Sequence, residues 1–264
     1  MRQRLFSSYR LLLVPVLAGL LSSCTPTQYV QLHPVSGPIA PIDGRLVTKA
    51  SADSVEVIAS FEREDMEFIA LDIEFKNHTN NPIDLNPANF QTEWLTDNRE
   101  PLNLAGRSPV RQAADPGYEL NRTAFKIRKE ERRLKTAKIL NTVLLVAVIA
   151  SDITSSSSQR TNRDFGSWAS NRIEHDAGYS LIQAKRVIDH GVFADRMQRY
   201  QFEEYRWREL ALKQTIVQPG ESVRGFVYLP KVNEAAFLNL SYPTASGTSI
   251  SLLFEQTIAK TKPR

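Results

Sequence analysis

The sequence predicts a mainly β chain of the α+β class, an antiparallel β-sandwich interrupted by a long helical segment. Three observations predict it. Apolar residues recur at every second position over 45–104 and again over 215–255, the period of strands with one buried face. Over 121–213 that period gives way to a helical one. Turn-forming clusters separate seven or more short alternating segments, which suggests two packed sheets.

Residues 45–49 and 54–61 read as a first pair of strands. The clearest strand is 68–76, where Ile69, Leu71, Ile73 and Phe75 alternate with Asp72, Glu74 and Lys76, so one face is buried and the other wet. Asn77-His78-Thr79-Asn80-Asn81-Pro82 ends it in a turn. Short strands follow at 83–85 and 90–95, with a hairpin turn at 97–100. At the far end, 215–218 leads into Pro219-Gly220, the residue pair of a type II turn. Strands at 223–229, 237–242 and 248–255 complete the set. On 223–229, Phe226 and Tyr228 point opposite to Val223, Val227 and Leu229, so both faces need cover, and the helices are its natural source.

In the helical segment, Asn121 or Thr123 is placed to cap a helix running to about Asp152, and Gly191 to end a second near His190. Asp195 with Gln198 three residues on resembles a capping box for a third helix reaching about Leu212. The Ser-rich stretch 151–163 reads as a loop. Residues 122–138 hold eight bases and two acids, and 139–150 is apolar on all sides, which makes Val143, Leu144, Leu145, Val146, Val148 and Ile149 a candidate interaction surface. Three readings stand: a core helix between the sheets and the third helix, a self-association or partner interface, or shallow insertion in a bilayer with the basic half on anionic headgroups, the run being too short to span. The basic stretch alone is the ordinary pattern of a solvated helix face. In the third helix Met197, Tyr200, Glu204, Trp207 and Leu210 share a stripe expected to pack on the sheets.

At the N-terminus, Arg2, Arg4 and Arg10 precede the apolar run 11–21 without an acid, the pattern of a secretory leader. Leu21-Ser22-Ser23-Cys24 follows directly and resembles the lipobox of bacterial lipoproteins. The resemblance implies that 1–23 is a signal peptide, that diacylglyceryl is attached to the Cys24 thiol, and that the lipid holds the mature chain on a membrane. Thr25, where an Asp would imply inner-membrane retention, implies the outer membrane facing the periplasm. Residues 24–44, with Pro26, Pro34, Pro38 and Pro41, read as a lipidated tether, or alternatively as one that adds an edge strand at 29–32. The expected organisation is therefore 45–120 and 214–258 as two parts of one sandwich, 121–213 as the insertion, and 259–264 as a tail.

Residues 69–90 and 217–229, an alternating strand with an Asn-rich turn and a later strand pair, resemble the small immunoglobulin-like domains of many bacterial lipoproteins. That resemblance covers about half of the mature chain. It implies a sandwich fold, brings no catalytic residues, and implies an interaction role by analogy.

The formal charge of +4 falls to +1, 30 bases against 29 acids, once the leader's three arginines are set aside, so global charge does not point to nucleic acid. With Cys24 lipidated, no disulfide is available to the mature chain. The four histidines are scattered, and no phosphate loop, dinucleotide fingerprint or Gly-x-Ser-x-Gly elbow occurs; no cofactor or metal is expected. Asn77, Asn80, Asn81 and Asp84 suit a turn better than a calcium site. The expected role is a non-enzymatic, lipid-anchored envelope interaction or assembly module, with a second copy or an envelope protein as partner. The alternative is a hydrolase of envelope glycan or peptide, for which Asp72 offers the outward carboxylate.

Overall fold

The alternating segments form antiparallel sheets in the computed structural model, which describes residues 29–103, 106, 108–158 and 165–259, with backbone alone over 149–158 and 165–176. The strands are β1 (Tyr29–Pro34), β2 (Ile39–Ile42), β3 (Arg45–Ala52), β4 (Val55–Asp65), β5 (Phe68–Asn77), β6 (Ile83–Leu85), β7 (Gln91–Leu95), β8 (Val110–Gln112), β9 (Thr215–Val217), β10 (Ser222–Pro230), β11 (Phe237–Pro243) and β12 (Ser249–Ala259). One five-stranded sheet has the order β1-β12-β11-β7-β8, the other β10-β5-β4-β3-β2, and β6 pairs with β9. Between β8 and β9 come two helices, α1 (Pro116–Ser158) and α2 (Phe165–Tyr205), and a π-helical turn, Arg206–Leu210.

The two sheets share one buried cluster. Ile69, Leu71, Ile73 and Phe75 of β5, with Val227 and Leu229 of β10, meet Trp94 of β7, Leu238 and Leu240 of β11, and Ile250, Leu252 and Phe254 of β12. Each such side chain contributes about 1.5–3 kcal/mol by leaving water, and these strands accordingly define the body. The expected wet face of β5 is wet only toward its end: Phe68 and Ala70 lie in a second cluster with Trp207, Ala211 and Tyr228, because the chain returning from α2 covers them.

Turns follow local chemistry. Asp53 and Ser54, between β3 and β4, both have positive φ, 51° and 60°, as a two-residue type I′ hairpin turn requires. The hydroxyls of Ser246, Thr244 and Thr248 donate to the Asp53 carboxylate, pulling its pKa down to about 2. Gly220 sits at φ 79° and Glu221 N donates to Gln218 O at 3.0 Å, the type II turn that Pro219-Gly220 predicts. Asn77 is buried; its Nδ2 donates to Asn81 O and Val217 O, and its Oδ1 accepts from Thr79. The Asn-rich stretch is therefore a turn pinned to β9. Among the described residues no group of His, Cys, Asp and Glu could hold a metal ion.

Several expectations are corrected. Residues 24–44 are not tether throughout: β1 pairs with β12 from Tyr29↔Ala259 to Pro34↔Phe254, and Val30 and Leu32 enter the shared cluster. Pro34 ends its strand and Pro41 lies in β2, an edge strand, where a missing N–H is harmless. The supposed second and third helices are one. Gly191 and Asp195 lie inside α2, since one interior glycine costs only about 1 kcal/mol and Asp195 pairs with Arg199 at 3.1 Å. The first helix starts earlier than expected, with Asp115 Oδ1 accepting from Gly117 N and Tyr118 N and Pro116 in the first turn. It runs through Ser158, taking in half of the Ser-rich stretch whose remainder, like residues 1–28 with Cys24, lies outside the described residues.

Candidate interaction surface

Both feet of the helical hairpin stand on β10. Ala114 N donates to Tyr228 O at 2.8 Å before α1, and Leu212 N donates to Phe226 O at 2.9 Å after the π turn. Gly225 admits that return: a Cβ there would lie 2.8 Å from Leu212 Cα, a clash that glycine alone avoids. Trp207 meets Phe68 edge-on at 5.4 Å and Tyr228 at 4.8 Å. Arg206, 1% exposed, donates to Asp65 at 2.6 Å and lies over the rings of Phe202, Trp207 and Tyr228. Burial pushes the Tyr228 phenol up to about 12, and its hydroxyl has no partner among the described residues. Of the predicted aromatic stripe, Trp207 packs as expected, while the neighbouring Phe202 and Tyr205 are exposed.

Above the feet, α1 and α2 join along a polar seam. Lys126 Nζ bonds Glu203 at 2.8 Å, Arg196 bonds Glu130 at 2.8 Å, and Asn141 Nδ2 donates to Asp189 at 3.0 Å. Thr123, Glu130, Asn141 and Glu203 are all buried. Lys185 and Asn141 together hold the Asp189 carboxyl below its ordinary pKa. On one side of the hairpin lies a groove of about 300 Å³ lined by Lys138, Thr142, Arg186 and His190.

The apolar run lies outside this seam. Ile139 is 66% and Val143 59% exposed, and Leu140, Leu144 and Val146 are exposed with them; Leu145 and Val148 are half-buried, and the Ile149 side chain lies outside the described residues. Across the hairpin Leu181 is 70% exposed, with Val187, Ile188 and Val192 also open. The core-helix expectation therefore fails for Ile139, Leu140, Val143, Leu144 and Val146, which are exposed, while Asn141 bonds Asp189 in the seam and Ile182 of α2 is buried. Below the run, Arg128, Lys129, Arg132, Arg133, Lys135 and Lys138 are exposed. No described helix is long and apolar enough to cross a membrane.

Asp72 is not the outward carboxylate the hydrolase alternative supposes. It is buried and accepts two bonds from Arg224, at 2.9 and 2.7 Å, with Arg45 at 3.4 Å. The pair raises the Arg224 guanidinium above its ordinary pKa. Glu74 lies 3.6 Å from Lys76.

Sequence reasoning missed the Arg206–Asp65 pair and the seam. The seam had a signal: Thr123, Glu130 and Ala137 recur every seven residues, as do Ile127, Leu134, Asn141 and Val148, the repeat of two helices packed side by side. Comparison with protein-family models, with curated proteins and with solved structures finds no match.

Proposed function

We propose that this chain is a non-enzymatic lipoprotein of the cell envelope, anchored through Cys24 on the periplasmic face of the outer membrane, in which an immunoglobulin-like sandwich carries a helical arm that makes contacts. The arm carries the proposal: its aliphatic side chains face outward while carboxylates and an amide are buried between its helices, and exposed apolar patches mark interaction sites. The anchor rests on the likeness of Leu21-Ser22-Ser23-Cys24 to a lipobox. Sandwich closure is supported by the cluster common to both sheets. The chain also passes between the two sheets from β1 to β2, β5 to β7, β8 to β10 and β10 to β11, setting β10 beside β5 and β11 beside β7. The run β2 to β5 within one sheet departs from the immunoglobulin strand order.

A photo-crosslinking residue at 143 in intact cells tests the arm, and the mass of the native N-terminus tests the anchor. A discrete adduct and an acylated Cys24 are expected. A chain that captures nothing from 143 and begins elsewhere, without fatty acid, would refute the proposal.

A further inference from the structure

We infer that one broad side of the arm lies on an anionic phospholipid surface, that of the leaflet holding the Cys24 acyl chains; its orientation rests on the anchor proposed above. At 100° per residue, the seam through Glu130, Asn141 and Asp189 divides the hairpin into two sides. Lys138, Thr142 and His190, which line the groove, belong to the polar side. Opposite them stand Leu140 and Leu144 of α1 and Leu181, Ile188 and Val192 of α2, all exposed. Toward the body, Lys129 and Arg133 continue the same side of α1 and are exposed as well. Aliphatic residues adjoining a row of bases are what a helix lying in a lipid interface presents.

Where the chain reaches the body limits where the arm can go. Val30 N donates to Glu64 at 2.6 Å, beside the β4–β5 turn at Met66. Arg206 pairs with Asp65 at that turn. From Leu212 beside Phe226, through Trp207 beside Tyr228, to Arg206 beside Asp65, the arm follows β10 to this end of the sheet and leaves the body there. Tyr29, where the described chain begins, and the arm therefore share one end. The five-residue step from Cys24 to Tyr29 spans at most about 18 Å, whereas β5 alone is about 33 Å long, so the body cannot turn over on its tether. The arm, about 64 Å long, must run along the surface or into it. Running straight in would carry Glu130, Asn141 and Asp189 into hydrocarbon, where polar groups are costly. Lying along it brings the apolar side down.

Charge selects lipid over a second copy. Glu119, Glu130, Asp189, Asp195, Glu203 and Glu204 of the arm are already paired with bases, which leaves Glu131 and Glu209, among the arm's described side chains, as the acids a second arm could offer the row at 128–138. No ion pair among the described residues engages Lys129 or Arg133. Phosphate headgroups supply that charge.

The test uses the native acylated chain, in which Cys24 is blocked and an introduced cysteine is the free thiol. Leu144→Cys, Ile188→Cys and Thr142→Cys are each labelled with an environment-sensitive dye and reconstituted in phosphatidylglycerol-rich or pure phosphatidylcholine vesicles. In anionic vesicles the dyes at 144 and 188 are expected to shift to the blue and lose access to aqueous iodide, while the dye at 142 keeps it. Equal iodide access at 144 and 142 overturns the inference. So does shielding at 144 that persists in phosphatidylcholine and comes with energy transfer between chains, since a second copy then covers the site. The intact mass of the same sample reports acylation separately: an acylated chain with an open 144 refutes the lipid contact alone, and an unacylated one refutes the anchor and the orientation drawn from it.

Discussion

In the two-sheet body the largest side chains are inside: Trp94, Phe75, Phe90 and Phe254 are wholly buried. In the arm the order is inverted, with Ile139, Val143 and Leu181 facing out and Glu130, Asn141 and Glu203 within. The body thus draws its stability from its own packing. The arm is held to the body at its feet, ties its two helices with ion pairs, and leaves aliphatic side chains exposed.

The largest effect is expected at the joint between the two. Arg206→Ala leaves buried Asp65 only Arg63, at 3.7 Å, and should cost about 3–5 kcal/mol in urea unfolding of the full chain; a loss below 1 kcal/mol would mean that arm and body are energetically separate. In the body, Leu71→Ala should cost roughly 2–5 kcal/mol by the same measurement. In the seam, Asn141→Leu removes an amide whose Oδ1 has no partner among the described residues and should raise the melting temperature of the helical signal, a gain of about 1 kcal/mol. Unchanged melting would show that the bond to Asp189 offsets that burial. For Asp53, whose folded pKa of about 2 lies below its ordinary 3.8, the stabilisation is present above pH 4 and lost as pH falls through 2. Asp53→Asn should therefore flatten acid unfolding across that window. The smallest effect belongs to the arm's outer surface: Val143→Asp should change stability by no more than ~0.5 kcal/mol while weakening the adduct formed by the arm in intact cells. Loss of folding would erase the contrast between the two regions.

The body was largely legible because its strands announce themselves locally. The alternation of Ile69, Leu71, Ile73 and Phe75, the Pro219-Gly220 turn, and the opposed faces of Phe226 and Tyr228 all follow from neighbours in sequence. β1 was legible only as the alternative edge strand at 29–32, because Val30 and Leu32 alternate briefly among prolines and their partner is β12 at the other end of the chain. The arm was half legible. Its apolar run and basic row stand out in composition, yet which side each residue takes depends on the register of α1 against α2. Gly191 and Asp195 carry helix-ending and helix-starting signals that a long paired helix overrides. The Cys24 signal is chemical and lies outside the described residues.

Gly225 has a mechanical meaning. The chain descending from α2 crosses β10 so closely that a Cβ would fall 2.8 Å from Leu212 Cα. The absence of one methyl group thus sets the pivot of a lever about 64 Å long. Alanine there would wedge the pivot open, and the small displacement, magnified along the lever, would change where its far end points.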